Sequence, residues 1–129
     1  VARDSEVKRV VLCSGKVYFD LLEERAKRGE KQVYLMRVEQ LYPIPYKALT
    51  KELKRFRKAD IVWCQEEPKN MGAWNHIEPY LEEILGQIGA EKKRPTYVGR
   101  LAAASPATGQ MSRHVKEQNT LVDEALSIK

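Results

Sequence analysis

Four short apolar runs recur along this chain, each followed by a polar loop and a segment of helical periodicity. The runs are residues 8–13 (KRVVLC), 33–38 (VYLMRV), 60–64 (DIVWC) and the shorter 96–98 (TYV). Continuous Val, Ile and aromatic runs without polar alternation predict strands covered on both faces, as in parallel sheets. Between them, Val17, Leu21, Leu22 and Ala26 form a helical stripe that stops at Gly29, and Leu49, Leu53 and Phe56 form a second. Ile77, Leu81, Ile84 and Ile88 form a third, in which Pro79 is expected in the first turn, where few backbone donors are needed. Asn75 is the expected cap, with Glu78 completing a pair of the capping-box kind. Val115, Gln118, Val122 and Leu126, with Leu121 and Ala125 beside them, form the last stripe. Strand–helix alternation repeated four times predicts a three-layer α/β/α fold with a mostly parallel sheet of four to five strands. Right-handed crossovers gather the loops 14–16, 39–45, 65–73 and 99–110 on one edge of that sheet, where open α/β folds bind ligands.

Length and charge narrow the classes. At 129 residues the chain is one domain's worth, 43% hydrophobic and 32% charged, enough for a core without metal or disulfide staples. No apolar run approaches the ~20 residues of a membrane span. Cys13 and Cys64 lie far apart, with no metal-ligand spacing and no disulfide framework, and are expected as buried thiols. The net charge is a modest +5; Lys51, Lys54, Arg55, Arg57 and Lys58 cluster along one predicted helix and its exit, and Lys92-Lys93-Arg94 form a second knot. Both clusters are expected as solvated faces, since nucleic-acid binding would call for interleaved stacking aromatics. The start, lacking Met and any signal-peptide core, suggests a fragment of a longer chain. Residues 1–7 are then the remnant of a linker from a preceding domain, and residues 8–129 the domain itself.

The chemistry-bearing residues sit in the predicted loops. Ser14-Gly15-Lys16 follows a strand and opens a helix, so it offers either a phosphate contact or a plain tight turn; neither GxxxxGK[ST] nor GxGxxG is present. Cys13 beside it is a nucleophile if the helix start lowers its pKa, as in a phosphotransfer enzyme, and otherwise an inert thiol. Arg37 interrupts an apolar run and needs Glu39, Glu66 or Glu67, or else an anionic ligand or partner subunit. The stretch Gln65-Glu66-Glu67-Pro68-Lys69-Asn70-Met71-Gly72-Ala73-Trp74 concentrates carboxylates, a lysine, an amide and a tryptophan. Glu66, Glu67, Lys69, Asn70, Met71 and Trp74 are candidates for an interface loop, since aromatics and Met are enriched at subunit contacts. Arg100 with Ser105 and Thr108 forms either a phosphate clamp or a loop-internal network. His76 and His114 stand isolated, with no HxxxH pattern.

Five segments, in order, carry a family resemblance: VLCSGKVY from Val11, RVEQLYP from Arg37, WCQEEPKNMGAW from Trp63, YVGR from Tyr97 and ASPATG from Ala104. Together they resemble the C-terminal, transketolase-C-like domain of the decarboxylating first component of the 2-oxoglutarate dehydrogenase complex, departing at Leu101, where the family has Pro. The resemblance runs from about Lys8 to Leu126. It implies a parent enzyme that uses thiamine diphosphate and Mg²⁺, works as a homodimer and passes its product to the dihydrolipoyl succinyltransferase component. Such an enzyme is expected in the cytoplasm, or in the mitochondrial matrix of a eukaryote. This segment lacks the diphosphate-binding motif, so no cofactor and no catalytic residue is expected on it. The resemblance makes Lys16, Arg37 and Arg100 the residues to watch for an anionic effector such as AMP or acetyl-CoA, and Ser105 joins them as the clamp candidate beside Arg100. A free-standing anion- or nucleotide-binding module is the alternative.

Overall fold

A computed structural model describes residues 3–100 and 111–128, with backbone alone for 111–114. Strands β1 (Arg9–Cys13), β2 (Val33–Arg37), β3 (Asp60–Pro68) and β4 (Thr96–Arg100) alternate with helices α1 (Val17–Arg28), α2 (Tyr46–Leu53), α3 (Trp74–Gln87) and α4 (Met111–Leu126). Every neighbouring strand pair is parallel, in the order β2-β1-β3-β4. The expected architecture is present, with four strands among the described residues. Because side chains alternate along a strand, β1 feeds two cores. Val10 and Leu12 pack with Ile61, Trp63, Leu49, Leu53, Ile77 and Leu81 on the α2/α3 side. Val11 and Cys13 pack with Val62, Cys64, Val17, Leu21, Leu121 and Ala125 on the α1/α4 side. No helix among the described residues is long and apolar enough to cross a membrane.

Local details depart from the sequence reading for physical reasons. Gly29 does end α1, in the left-handed conformation at φ 62°, with its N–H bonded to the Ala26 carbonyl. The α1 stripe, however, is half solvated. Val17 and Leu21 are fully buried, whereas Leu22 is 42% exposed and Ala26 lies on the surface, because α1 covers the sheet with only one narrow face. Strand β2 is an edge strand, so most of its residues are only half-buried. Strand β3 runs on through Pro68, past the expected stop at Cys64, with a register irregularity between Gln65 and Pro68. Helix α3 begins at Trp74 and has no side-chain cap from Asn75. Pro79 consequently falls in the second turn, and the residue whose carbonyl it cannot meet, Asn75, is exposed to water.

The N-terminal residues are tied to the body. Asp4–Glu6 form a single turn of 3-10 helix, Val7 is buried, and Asp4 meets the Arg55 guanidinium at 2.9 Å.

Candidate functional site

The carboxyl edge of the sheet collects the residues singled out from sequence. Strand order reverses at β1, so the loops leaving β1 and β3 flank the crevice where such sheets bind ligands. Cys13 is in register with Arg37 on one side and Cys64 on the other, and Pro68 is in register with Arg100. Lys16, Arg37, the turn 69–73 and Arg100 therefore share one rim. Ser105 and Thr108 lie outside the described residues, as does the side chain of His114.

Gln65 organises this rim, and the sequence reading gave it no role. It is a buried polar side chain, 3% exposed, at the point where β3 leaves the core. Its Oε1 accepts from Trp63 Nε1 at 2.9 Å and from the Trp74 backbone N–H at 3.1 Å. Its Nε2 donates to the carbonyls of Met71 at 2.7 Å, Pro68 at 2.9 Å and Glu67 at 3.2 Å. One amide thus closes the 69–73 turn onto β3 and supplies, from the preceding strand, the acceptor that a local cap gives elsewhere. Gly72, at φ +69°, sits against that amide, and a Cβ there would come within 3.1 Å of it. The trace of this arrangement in the sequence is the pairing of a glutamine after an apolar run with a glycine seven positions later.

Around this hub the candidate residues divide. Trp74 is buried, 5% exposed, and packs on Tyr97 at 5.5 Å between ring centroids, so its surface is used inside the chain. Lys69, Asn70 and Glu67 face outward and Met71 is half-buried. The Lys69 ammonium lies 5.6 Å from the Tyr97 ring centroid. Tyr97 donates its hydroxyl to the Arg100 carbonyl at 2.6 Å, and burial pushes its pKa up to about 12. Gly99 is required here, because a Cβ would sit 2.5 Å from the Tyr97 hydroxyl and 2.7 Å from the Gln65 carbonyl oxygen.

Arg100 is the most enclosed cation of the rim, with a side chain 8% exposed. Its Nε meets Glu117 Oε2 at 3.2 Å, its Nη2 donates to Gln118 Oε1 at 3.0 Å, and its Nη1 donates to the Glu66 carbonyl. Gln118 in turn donates Nε2 to Glu66 Oε1 at 2.8 Å and to Asp20 Oδ2 at 2.9 Å. A guanidinium this buried has to be answered within the fold, and here it fastens α4 to the ends of β3 and β4.

Arg37 is exposed, contrary to the expectation of a guanidinium inside an apolar strand, because it is the last residue of an edge strand. It pairs with Glu39 at 3.6 Å and lies over the rings of Phe19 at 5.1 Å and Tyr18 at 5.8 Å. Lys16 is exposed at the start of α1, and Gly15 before it takes φ 80°, which makes the turn. Ser14 makes no cap to α1. Cys13 and Cys64 are fully buried, and burial pushes the Cys13 thiol up to about 12 and the Cys64 thiol upward as well. Burial disfavours the thiolate and keeps Cys13 from contact with a substrate, which argues against the Cys13 nucleophile. His76 is not isolated: its Nε2 donates to the Leu41 carbonyl at 2.9 Å and its ring stacks on Tyr42 at 4.1 Å, tying the β2–α2 loop to α3.

The rim does not fit a diphosphate with its metal. Arg100 already faces acceptors on α4 and β3, and Asp20, Glu66 and Glu117 bring three carboxylates to the same corner. Gln118 and Arg100 stand between these carboxylates, and no group of three or more His, Cys, Asp or Glu side chains among the described residues could hold a metal ion.

A parallel sheet between two pairs of helices, with its polar loops drawn to the carboxyl edge, defines a three-layer α/β/α domain. The chain belongs to the family described as 2-oxoglutarate dehydrogenase C-terminal, which it matches over residues 1–126. It is similar to the 2-oxoglutarate dehydrogenase E1 components of Brucella anthropi, Brucella ovis and Brucella canis, each 62% identical over 124 residues. Those residues are 96% of this chain and 12% of each relative, so the chain corresponds to a small part of those proteins.

Proposed function

We propose that residues 8–129 form the C-terminal structural and effector-responsive domain of a thiamine diphosphate-dependent 2-oxoglutarate dehydrogenase, with residues 1–7 leading in from a preceding domain. The full-length enzyme decarboxylates 2-oxoglutarate oxidatively and passes the succinyl group to the lipoyl arm of its succinyltransferase partner, in the cytoplasm or mitochondrial matrix. This domain contributes no catalytic residue. Thiamine diphosphate and Mg²⁺ belong to the rest of the enzyme, and the domain stabilises the homodimer through the outward members of the 69–73 turn, Lys69, Asn70 and Met71, with Glu67.

The observation that carries this reading is the likeness to E1 components over nearly the whole chain, 62% identity across 96% of it. The Gln65-centred turn supports a scaffolding role, since a rigid, internally bonded loop presents a fixed surface to a neighbour. Lys16 and Arg37 are exposed cations on the same rim, suited to an anionic effector such as AMP or acetyl-CoA.

The test has two parts. The 129-residue chain, supplied with thiamine diphosphate, Mg²⁺, 2-oxoglutarate and an artificial electron acceptor, is expected to show no turnover; measured turnover would end the non-catalytic assignment. In the full-length enzyme, Lys16→Ala with Arg37→Ala is expected to weaken the response to AMP or acetyl-CoA while leaving unstimulated activity in place. An unchanged response would remove these residues from the effector site.

A further inference from the structure

The two basic clusters of the sequence, 34 residues apart at their nearest members Lys58 and Lys92, meet at the opposite, amino edge of the sheet. The Glu91 N–H bonds the Arg57 carbonyl at 2.9 Å, which brings the loop of Lys92-Lys93-Arg94 against the turn of Arg57 and Lys58. The Asp60 N–H bonds the Lys8 carbonyl at 2.9 Å, which adds a third segment. Between them lies a concave pocket of about 360 Å³ whose lining includes Ser5, Lys8, Arg9, Lys58, Asp60 and Lys92. Among the described residues its one lining carboxylate is already answered: Asp60 meets Arg9 at 3.0 Å, and Arg9 also donates to the Glu124 and Ala125 carbonyls at the end of α4. Lys8, Lys58 and Lys92 make no ion pair among the described residues, and all three are exposed.

Convergent like charges repel, and three flexible lysines from three segments on one concavity raise the local concentration of counter-ions. The pocket volume lies within the range of small-molecule sites. Ammonium groups act as point charges that suit phosphate and carboxylate oxygens without a fixed fork geometry. Val7 and Ile128 add apolar wall.

We propose that this pocket is a binding site for a small, multiply charged anion of the polyphosphate or polycarboxylate class, held by Lys8, Lys58 and Lys92. It is distinct from the carboxyl rim, where Lys16 and Arg37 lie.

Calorimetric titration of the 129-residue chain with inorganic pyrophosphate, and separately with citrate, at low salt tests it. Binding of either anion is expected, weakened about tenfold by Lys58→Ala and further by Lys58→Ala with Lys92→Ala, and unchanged by Lys16→Ala with Arg37→Ala. The response to the two anions distinguishes phosphate from carboxylate chemistry. These lysines are exposed, so the variants are expected to keep the parental near-ultraviolet circular dichroism. Binding of neither anion, binding indifferent to the three lysines, binding lost with Lys16 and Arg37, or capture of an acidic peptide alone would each overturn the proposal. The last two leave the effector reading of the carboxyl rim untouched, so the two assignments fail separately.

Discussion

The two edges of this sheet each carry several cations, but the most enclosed of them, Arg100, and the most crowded, Lys8, Lys58 and Lys92, lie at opposite ends. At the carboxyl edge Arg100 is enclosed, bonded to Glu117, Gln118 and the Glu66 carbonyl, and Arg37 lies against Glu39 and two aromatic rings. At the amino edge Arg9 takes Asp60 and the end of α4, while Lys8, Lys58 and Lys92 crowd one pocket in water. The difference follows from burial. A guanidinium removed from solvent must find its counter-charges in the fold or the fold does not form, whereas an exposed ammonium keeps its hydration and costs little unpaired. The Arg100 corner is therefore structure, whereas the solvated lysines of the amino edge, like Lys16 and Arg37 on the carboxyl rim, are available for exchange with a ligand.

Gln65 should separate the edges most sharply. Gln65→Ala removes an amide that serves five backbone and side-chain partners, taking the acceptor from the Trp63 indole N–H and the Trp74 N–H and a donor from the Met71 carbonyl. We expect a loss of about 4 kcal/mol in urea unfolding, the sum of several unsatisfied buried groups. A loss under 1 kcal/mol would show that the turn does not depend on this hub.

The next effect is in pH. A thiol whose folded pKa is raised stabilises the fold below its ordinary value near 9.0, and that contribution is lost as pH climbs toward about 12. Stability should fall between those limits by up to about 1.4 kcal/mol per pH unit for each buried thiol. Tyr97, also raised to about 12, adds its share at the upper end. Urea midpoints at pH 8, 9.5 and 11 read the slope, and Cys13→Ala should flatten it; an equal slope in that variant would assign the alkaline loss elsewhere.

Legibility in the sequence followed the range of the forces involved. The parallel sheet, the four helices and the Gly29 stop rest on periodicity and local backbone preference, which neighbouring residues display. Glu39 as a partner of Arg37 is legible from sequence, but the exposure of Arg37 is not, because edge position is a property of strand order, invisible in a run such as VYLMRV. Local spacing points to Asn75 as a cap, yet the acceptor for the Trp74 N–H comes from Gln65, nine residues earlier and on a strand. The pairing of Arg100 with Glu117 and the meeting of Arg57 with Glu91 are likewise tertiary. Their residues could be named in advance, but their partners could not.

Arg100 sharpens the comparison at moderate size. Arg100→Ala leaves Glu66, Glu117 and Asp20 as carboxylates at one corner with their cation gone, and should cost about 2–3 kcal/mol. Glu117→Gln should cost less than half of that, since Gln118 and the Glu66 carbonyl still receive the guanidinium. Urea unfolding of the two single variants and their combination gives the coupling, expected above 0.5 kcal/mol for groups in one network. Strict additivity would mean that Arg100 holds α4 through packing alone.

The smallest effect has the opposite sign. Lys92→Glu places a carboxylate between Lys8 and Lys58, where like charges now crowd. With no ligand present this should leave stability unchanged or raise it by about 0.5 kcal/mol at low ionic strength, the gain fading as salt screens the pocket. Thermal unfolding at 20 mM and 500 mM salt reads both the sign and the screening, each concentration being about the extremes of the relevant range. Destabilisation that persists in high salt would show that Lys92 is part of the structure, as Arg100 is, and would erase the contrast between the two edges.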